Sequence, residues 1–344
     1  DQDSLLLKME PVENVEREDT ACGKASSSDG ETVDICAVAV PDQVEILRSE
    51  PNVSILDLAE YAFDGGEWHS QEEILRIDNL FREKLGYPLR MEAFAQPWTN
   101  DSQEGLDHTL GLRFRIHTET ALTDCFLAME NDENTEILLD GRPVENKAQG
   151  WYVDHCIRRV ALPDMEAGSH QLQVNIPYNS KINIEAMFLL GDFRVETVGR
   201  MQTLKKDKKE AAFCDITRQG YPFYGGNITY RIPFTARGGE VSVRASLFRA
   251  PVLHVSVDGK DMGHIAFSPY EADLGKLPKG EHLLELTVYG NRVNTFGTLH
   301  NCDKKEEWFG PNAWRTTGDL WSYEYQLRES GLLKAPVITE KISK

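Results

Sequence analysis

Ile228-Thr-Tyr-Arg-Ile-Pro-Phe234, then Val241-Ser-Val-Arg-Ala245, then Leu284-Glu-Leu-Thr-Val288 are the stretches that decide the fold class. In each, apolar residues occupy every second position. A period of two puts one face of a strand against a core and the other in water. Trp321, Tyr323, Tyr325 and Leu327 repeat the spacing, which predicts a last strand with its rings in the core of the second half of the chain. Gly, Pro and Asp-Gly turns separate these runs, as expected of an antiparallel sandwich or jelly roll.

Working outward, the chain has 344 residues, room for two domains with a core each. It carries 37 Lys and Arg against 56 Asp and Glu, a formal charge of −19. Nucleic-acid backbones and anionic membranes call for a basic surface, so neither is expected as a partner. No apolar run approaches the roughly 20 residues that span a bilayer. The start, Asp1-Gln2-Asp3, lacks a signal-peptide pattern and a Met, which reads as a processed chain or a fragment. Cys22, Cys36, Cys125, Cys156, Cys214 and Cys302 show no metal-type spacing. They read as free buried thiols, at home in a reducing compartment.

In chain order, residues 1–50 read as the remnant of an upstream domain, left with few partners, with one strand's worth of apolar residues at 32–40. Residues 51–197 read as a first sandwich. Within it, 70–86 is predicted as a helix: Ser70 and Glu73 form a capping box, Ile74, Ile77, Phe81 and Leu85 an apolar stripe, and Gly86 the stop. The Lys-rich run at 198–214 reads as an exposed linker. Residues 215–344 read as a second sandwich. The halves echo each other. Glu136-Ile-Leu-Leu-Asp-Gly141 is matched by Leu253-His-Val-Ser-Val-Asp-Gly259, and Gly168-Ser-His170 by Gly280-Glu-His282, in the same order, which suggests a duplicated fold.

The pattern of strand, Asp-Gly turn and Leu277-Pro-Lys-Gly-Glu-His-Leu-Leu-Glu-Leu286 resembles galactose-binding-like β-sandwiches, and more specifically the sugar-binding domains of family 2 glycoside hydrolases. Over roughly residues 40–338 the chain is similar to the C-terminal region of large bacterial glycoside hydrolases. Leu189-Leu-Gly-Asp-Phe193, Gln219-Gly-Tyr-Pro-Phe-Tyr-Gly-Gly226, Trp308-Phe-Gly-Pro-Asn-Ala-Trp314 and Gly331-Leu-Leu-Lys-Ala-Pro-Val337 carry that likeness. The resemblance implies a mostly-β protein of two jelly-roll or galactose-binding-like sandwiches with one flanking helix. It also implies an accessory role beside an upstream catalytic domain of the same polypeptide in a bacterium, and the free thiols lean towards its cytoplasm.

Candidate chemistry gathers near the end of the chain. His300, Asn301, Trp308, Trp314, Arg315 and Asp319 combine stacking rings with polar groups, the composition of a carbohydrate platform. Tyr221 and Tyr224 form a second aromatic loop, and Trp151, Tyr152, Asp154 and His155 a third group. The first has a plainer reading as rings that cap the sandwich or pack on an upstream barrel, and the second as a strand-entry turn with buried rings; the third divides similarly. Glu306 and Glu307 are adjacent, so on a strand they face opposite ways and do not straddle a glycosidic bond. No catalytic pair, nucleophile triad or cofactor motif is legible. No EF-hand is present, though folds of this kind leave room for a structural Ca²⁺. The expected function is therefore non-catalytic carbohydrate binding or docking. The alternatives are a carbohydrate-active enzyme with a groove between the sandwiches, and a purely structural or protein-interaction module.

Overall fold

The computed structural model describes residues 33–90, 105–305 and 310–343. It is mostly β, as the alternation predicts, and its strands form two sandwiches.

In the first sandwich, five strands run in the order Ala148–Tyr152, Asp154–Ala161, Phe126–Met129, Met187–Gly191, Asn52–Leu56. The opposing sheet is centred on the eleven-residue pair His108–Thr118 and Gly168–Tyr178. Leu112, Phe114 and Val174 of that sheet share one core with Val53, Leu127 and Leu189 of the other. Helix α1 (Ile74–Leu85) adds Ile74, Ile77 and Phe81 to the same core, and Phe81 stacks on Phe63 with ring centres 4.4 Å apart. The apolar stripe and the left-handed Gly86 cap (φ 69°) are as the sequence predicts. The start is not. Ser70 belongs to the strand His69–Glu73, and Glu73 itself caps the helix by accepting from the Leu75 and Arg76 amides. A glutamate whose own carboxylate reaches the first-turn N–H groups makes the Ser cap redundant.

The second sandwich sets a six-stranded sheet (Glu210–Ala212, Gln43–Arg48, Ile228–Ala236, Gly280–Val288, Leu253–Val257, Lys260–Ile265) against a four-stranded one (Val33–Val38, Val337–Ser343, Glu240–Arg244, Glu271–Lys276). In Ile228–Ala236 every second residue is buried, from Ile228 to Ala236. Two expectations change here. Residues 33–48 are not a remnant with few partners: Val33–Val38 pairs along its length with Val337–Ser343, and Gln43–Arg48 lies between Glu210–Ala212 and Ile228–Ala236. The 198–214 run is not an exposed connector either. Met201–Lys206 is a strand of the first sandwich and Glu210–Ala212 one of the second, with Leu204 and Ala211 buried. Only residues 207–209 lie between them, because alternate lysines can point outward while their strand-mates fill a core. The first sandwich is thus inserted into the second.

The sequence repeat is one three-dimensional device built twice. Asp140 and Gly141 both take positive φ (51° and 73°), as do Asp258 and Gly259 (50° and 78°), the tight hairpin geometry that Asp-Gly favours. Asp140 Oδ2 meets His170 Nδ1 at 2.7 Å while Oδ1 accepts the Gln171 amide, and Asp258 treats His282 and Leu283 in the same way. The far ring nitrogen of each histidine lies 2.8 Å from a carbonyl, of Glu166 or Pro278.

Between the strands Gly280–Val288 and Gly331–Leu332 the second sandwich carries a long excursion that contains the short helix α2 (Val293–Phe296). It crosses to the first sandwich. Residues 321–327 form no strand, and Tyr325 packs on the first core rather than the second. Their alternation serves two surfaces: Tyr325 O–H donates to Asp57 (2.8 Å) and Tyr323 O–H to Glu72 (3.0 Å).

Candidate functional site

The excursion meets α1 and encloses a cleft of about 320 Å³ between the helix and residues 314–317. Arg76, Asn79 and Glu83 line its helical wall and Trp314 and Arg315 the other. Spacings of three and four residues place the helical set on one face. Trp314 is 38% exposed, and its indole N–H donates to the Phe296 carbonyl at 3.1 Å, which fixes the ring's tilt. Arg76 ties the walls together: its guanidinium lies 3.8 Å over the Trp321 ring and donates to the Thr316 carbonyl. Arg315 donates back to the Leu75 carbonyl. Asn79 holds the chain after α1 through the Arg90 backbone.

Behind the cleft lies a buried polar joint. Asp57 and Glu73 come from the first sandwich and His300 from the excursion, and all three are less than 10% exposed. His300 Nε2 is 3.1 Å from Asp57 Oδ2, and Nδ1 is 2.8 Å from the Ser322 carbonyl. Both ring nitrogens face acceptors, and a ring that donates twice is an imidazolium. Burial pulls the His300 pKa down, but the bond to Asp57, the nearby Glu73 charge and the Ser322 carbonyl outweigh it and leave it raised. Glu73 is pushed up to about 7, first by burial and then by the Asp57 charge, against the lowering pull of the amides it caps and of His300.

The candidate residues divide. Trp314 and Arg315 line the cleft. Asn301 supports it, donating to the Ala313 carbonyl at 3.1 Å. His300 is a joint residue, not a surface ligand. Asp319 is exposed on the 3₁₀ turn Gly318–Leu320, away from the cleft lining. Tyr221 and Tyr224 are buried in the second core, their hydroxyls on Asp207 and the Asn227 carbonyl, so the second aromatic loop is packing. Between them Phe223 points into the first core, which makes the loop a rivet through both sandwiches. Trp308, with Glu306 and Glu307, lies outside the described residues. In the third group Trp151 is 47% exposed and packs tilted against His155, with ring centres 4.4 Å apart, whereas Tyr152 is buried. The five described cysteines are free, but only Cys125 is fully buried and Cys156 and Cys214 are exposed. Among the described residues no group of three or more His, Cys, Asp or Glu side chains is arranged to hold a metal ion.

Sequence reasoning missed the helical wall and Asp57. The signal for the wall was the spacing of Arg76, Asn79 and Glu83, which reads as an ordinary solvated face until something packs opposite. Asp57 stood out only as a lone charge between Leu56 and Leu58.

No family model matches the chain, and no curated protein is similar to it in sequence. Solved structures with a similar course include a rhamnosidase from Novosphingobium sp. PP1Y (17% identity, 69% of this chain and 23% of that one, TM-score 0.28). A GH2 β-galacturonidase from Eisenbergiella tayi is similar at 12% identity (69% of this chain, 36% of that one, TM-score 0.25). An anti-sigma factor domain-containing protein is similar at 9% identity (72% and 90%, TM-score 0.22). The matched region thus spans about a quarter of the rhamnosidase and about a third of the galacturonidase. At TM-scores this low, what these proteins do says nothing about this chain.

Proposed function

We propose that this chain is a non-catalytic accessory region of a multidomain glycoside hydrolase that holds carbohydrate in the cleft between α1 and residues 314–317 and docks against a catalytic domain of the same polypeptide. The hydrolase setting rests on the sequence resemblance. The carbohydrate reading rests on one observation: Trp314, half-exposed and fixed in tilt by its N–H, lines a concave site beside Arg76, Asn79 and Glu83. An aromatic ring offers a sugar its apolar face while amides and carboxylates answer the hydroxyls.

The non-catalytic part is supported by the commitments of two of the three acids that line the cleft, Glu72 and Glu73. Glu73 spends both carboxylate oxygens on the Leu75 and Arg76 amides, and Glu72 accepts from Tyr323. A glycosidase needs two carboxyls facing each other across the bond. A second reading, an enzyme working in this cleft, is favoured by Glu73 alone, since a carboxyl held at about 7 suits a general acid.

Glycan-array screening of the chain, followed by calorimetry, tests both. Weak binding that drops about tenfold or more in Trp314→Ala is the expected result, from roughly 1–3 kcal/mol of lost ring burial. Unchanged binding in that variant would move the site elsewhere. Turnover of aryl-glycosides by the purified chain, abolished in Glu73→Gln, would replace the accessory reading with the enzymatic one.

A further inference from the structure

We propose that His300 is a proton-operated clasp that holds the wall of the cleft against α1 and releases it as the solution becomes alkaline. The effect on affinity rests on the carbohydrate reading; the clasp itself does not.

The geometry carries the proposal. His300 and Asp57, 243 positions apart in sequence, form a buried link between the excursion and the first sandwich, beside the Tyr325–Asp57 bond. The next residue, Asn301, bridges to Trp321 and holds the Ala313 carbonyl, one residue from Trp314. Trp321 in turn lies under Arg76, which reaches Thr316. The cleft wall is therefore fastened on both sides of one imidazolium.

The charged and titratable groups around His300 come from every element packed on it. Asp57 and Glu73 stand on the first sandwich, with Glu72 and Arg76 beside them, and Tyr323 and Tyr325 on the excursion's return. When the imidazolium gives its proton to solvent, one ring nitrogen turns from donor to acceptor while still facing an acceptor, either Asp57 or the Ser322 carbonyl. Asp57 then loses its buried countercharge.

Glu73 acts with the same sign. Its pKa is raised, so the folded state holds its proton longer than the unfolded chain does, and stability falls as pH rises from its ordinary carboxylate range through about 7. His300 contributes its full stabilisation below the ordinary histidine value and loses it as pH climbs through its raised value. Both cost folding stability on the alkaline side, but only the loss of the His300 proton opens the joint, since an ionised Glu73 favours the imidazolium.

The experiment uses the whole chain. Nitrogen NMR of ¹⁵N-labelled histidine, with His300 assigned from His300→Asn, should show both ring nitrogens protonated at about pH 6. Amide hydrogen exchange, corrected for its intrinsic pH dependence, should show residues 310–326 losing about tenfold or more of their protection between about pH 6 and pH 9, while Ile228–Ala236 keeps its own. A neutral His300 ring at pH 6 would overturn the proposal, as would protection of 310–326 that does not change with pH. These wild-type measurements stand even if the variant folds poorly. Calorimetry with the array's best neutral oligosaccharide at the same two pH values separates the two readings. Trp314-dependent binding with no pH response in exchange would end the clasp and leave the carbohydrate reading intact. An opening clasp with no glycan bound at any pH would support the clasp and end the carbohydrate reading.

Discussion

The hairpin clamps at Asp140–His170 and Asp258–His282 and the joint at Asp57–His300 use the same two bonds, a carboxylate on one ring nitrogen and a carbonyl on the other. The clamps are the shorter, 2.7 Å against 3.1 Å. Their aspartates are nearly half exposed, however, whereas both partners in the joint are below 10%. Surroundings rather than bond length set the consequence. Water replaces a lost partner at the surface, while in the joint the survivor is left charged in a poorly polarisable interior. The clamps are also local, 30 and 24 residues from end to end. They set a hairpin; the joint sets how two sandwiches meet.

The sharpest way to break this comparison is Asp57→Ala. It leaves a buried imidazolium and the Tyr325 hydroxyl without their acceptor, so a loss of about 3–5 kcal/mol in urea unfolding is expected. A loss no larger than that of a clamp variant would mean that water reaches the joint. Next in size, Gly141→Ala and Gly259→Ala should each cost about 1–2 kcal/mol, because a Cβ is strained at those positive φ values although the space around both is open. Equal costs would confirm that the two hairpins are energetic as well as geometric copies, and a twofold difference would show that they are not. Comparable with the glycine variants, Trp314→Ala should cost about 1–3 kcal/mol of stability, since most of the residue is buried and one hydrogen bond is lost. Its effect on ligand affinity comes in addition.

Smaller still, Asp140→Asn and Asp258→Asn keep the turn and remove only the charge, for an expected loss of at most about 1 kcal/mol at neutral pH. Here pH sharpens the contrast. For Asp258 the His282 bond and the Leu283 amide lower the carboxyl; for Asp140 burial works the other way but His170 and the Gln171 amide prevail. His282 is raised, chiefly by its bond to Asp258. Burial pulls His170 down, but its bonds to Asp140 and the Glu166 carbonyl, with the charges of both acids, together outweigh it and leave it raised. A lowered acid contributes above its ordinary value and fails as pH falls through its folded one, and a raised histidine fails as pH rises through its own. The clamps are thus strongest between the ordinary Asp and His values, and the variants should flatten the acid limb of the stability–pH curve.

The strand faces of Ile228–Ala236 and Gly280–Val288, the apolar stripe of α1 and the paired Asp-Gly hairpins were determined by the sequence itself. Each depends on residues within one element or one hairpin, where a period of two or 3.6 and a demand for positive φ leave few choices. Tertiary structure alone decided the rest. Val33–Val38 found its partner three hundred residues away at Val337–Ser343, and nothing in either strand names the other. Trp321, Tyr323 and Tyr325 alternate as a strand would, yet sit on the first sandwich, where Asp57 and Glu72 accept the two tyrosine hydroxyls and Arg76 lies over the Trp321 ring. Tyr221 and Trp314 are both aromatic residues in Pro- and Gly-rich loops, and only packing made one a core ring and the other the wall of a cleft. Burial is a property of what arrives opposite a side chain, and for these residues that partner is supplied by a distant part of the chain.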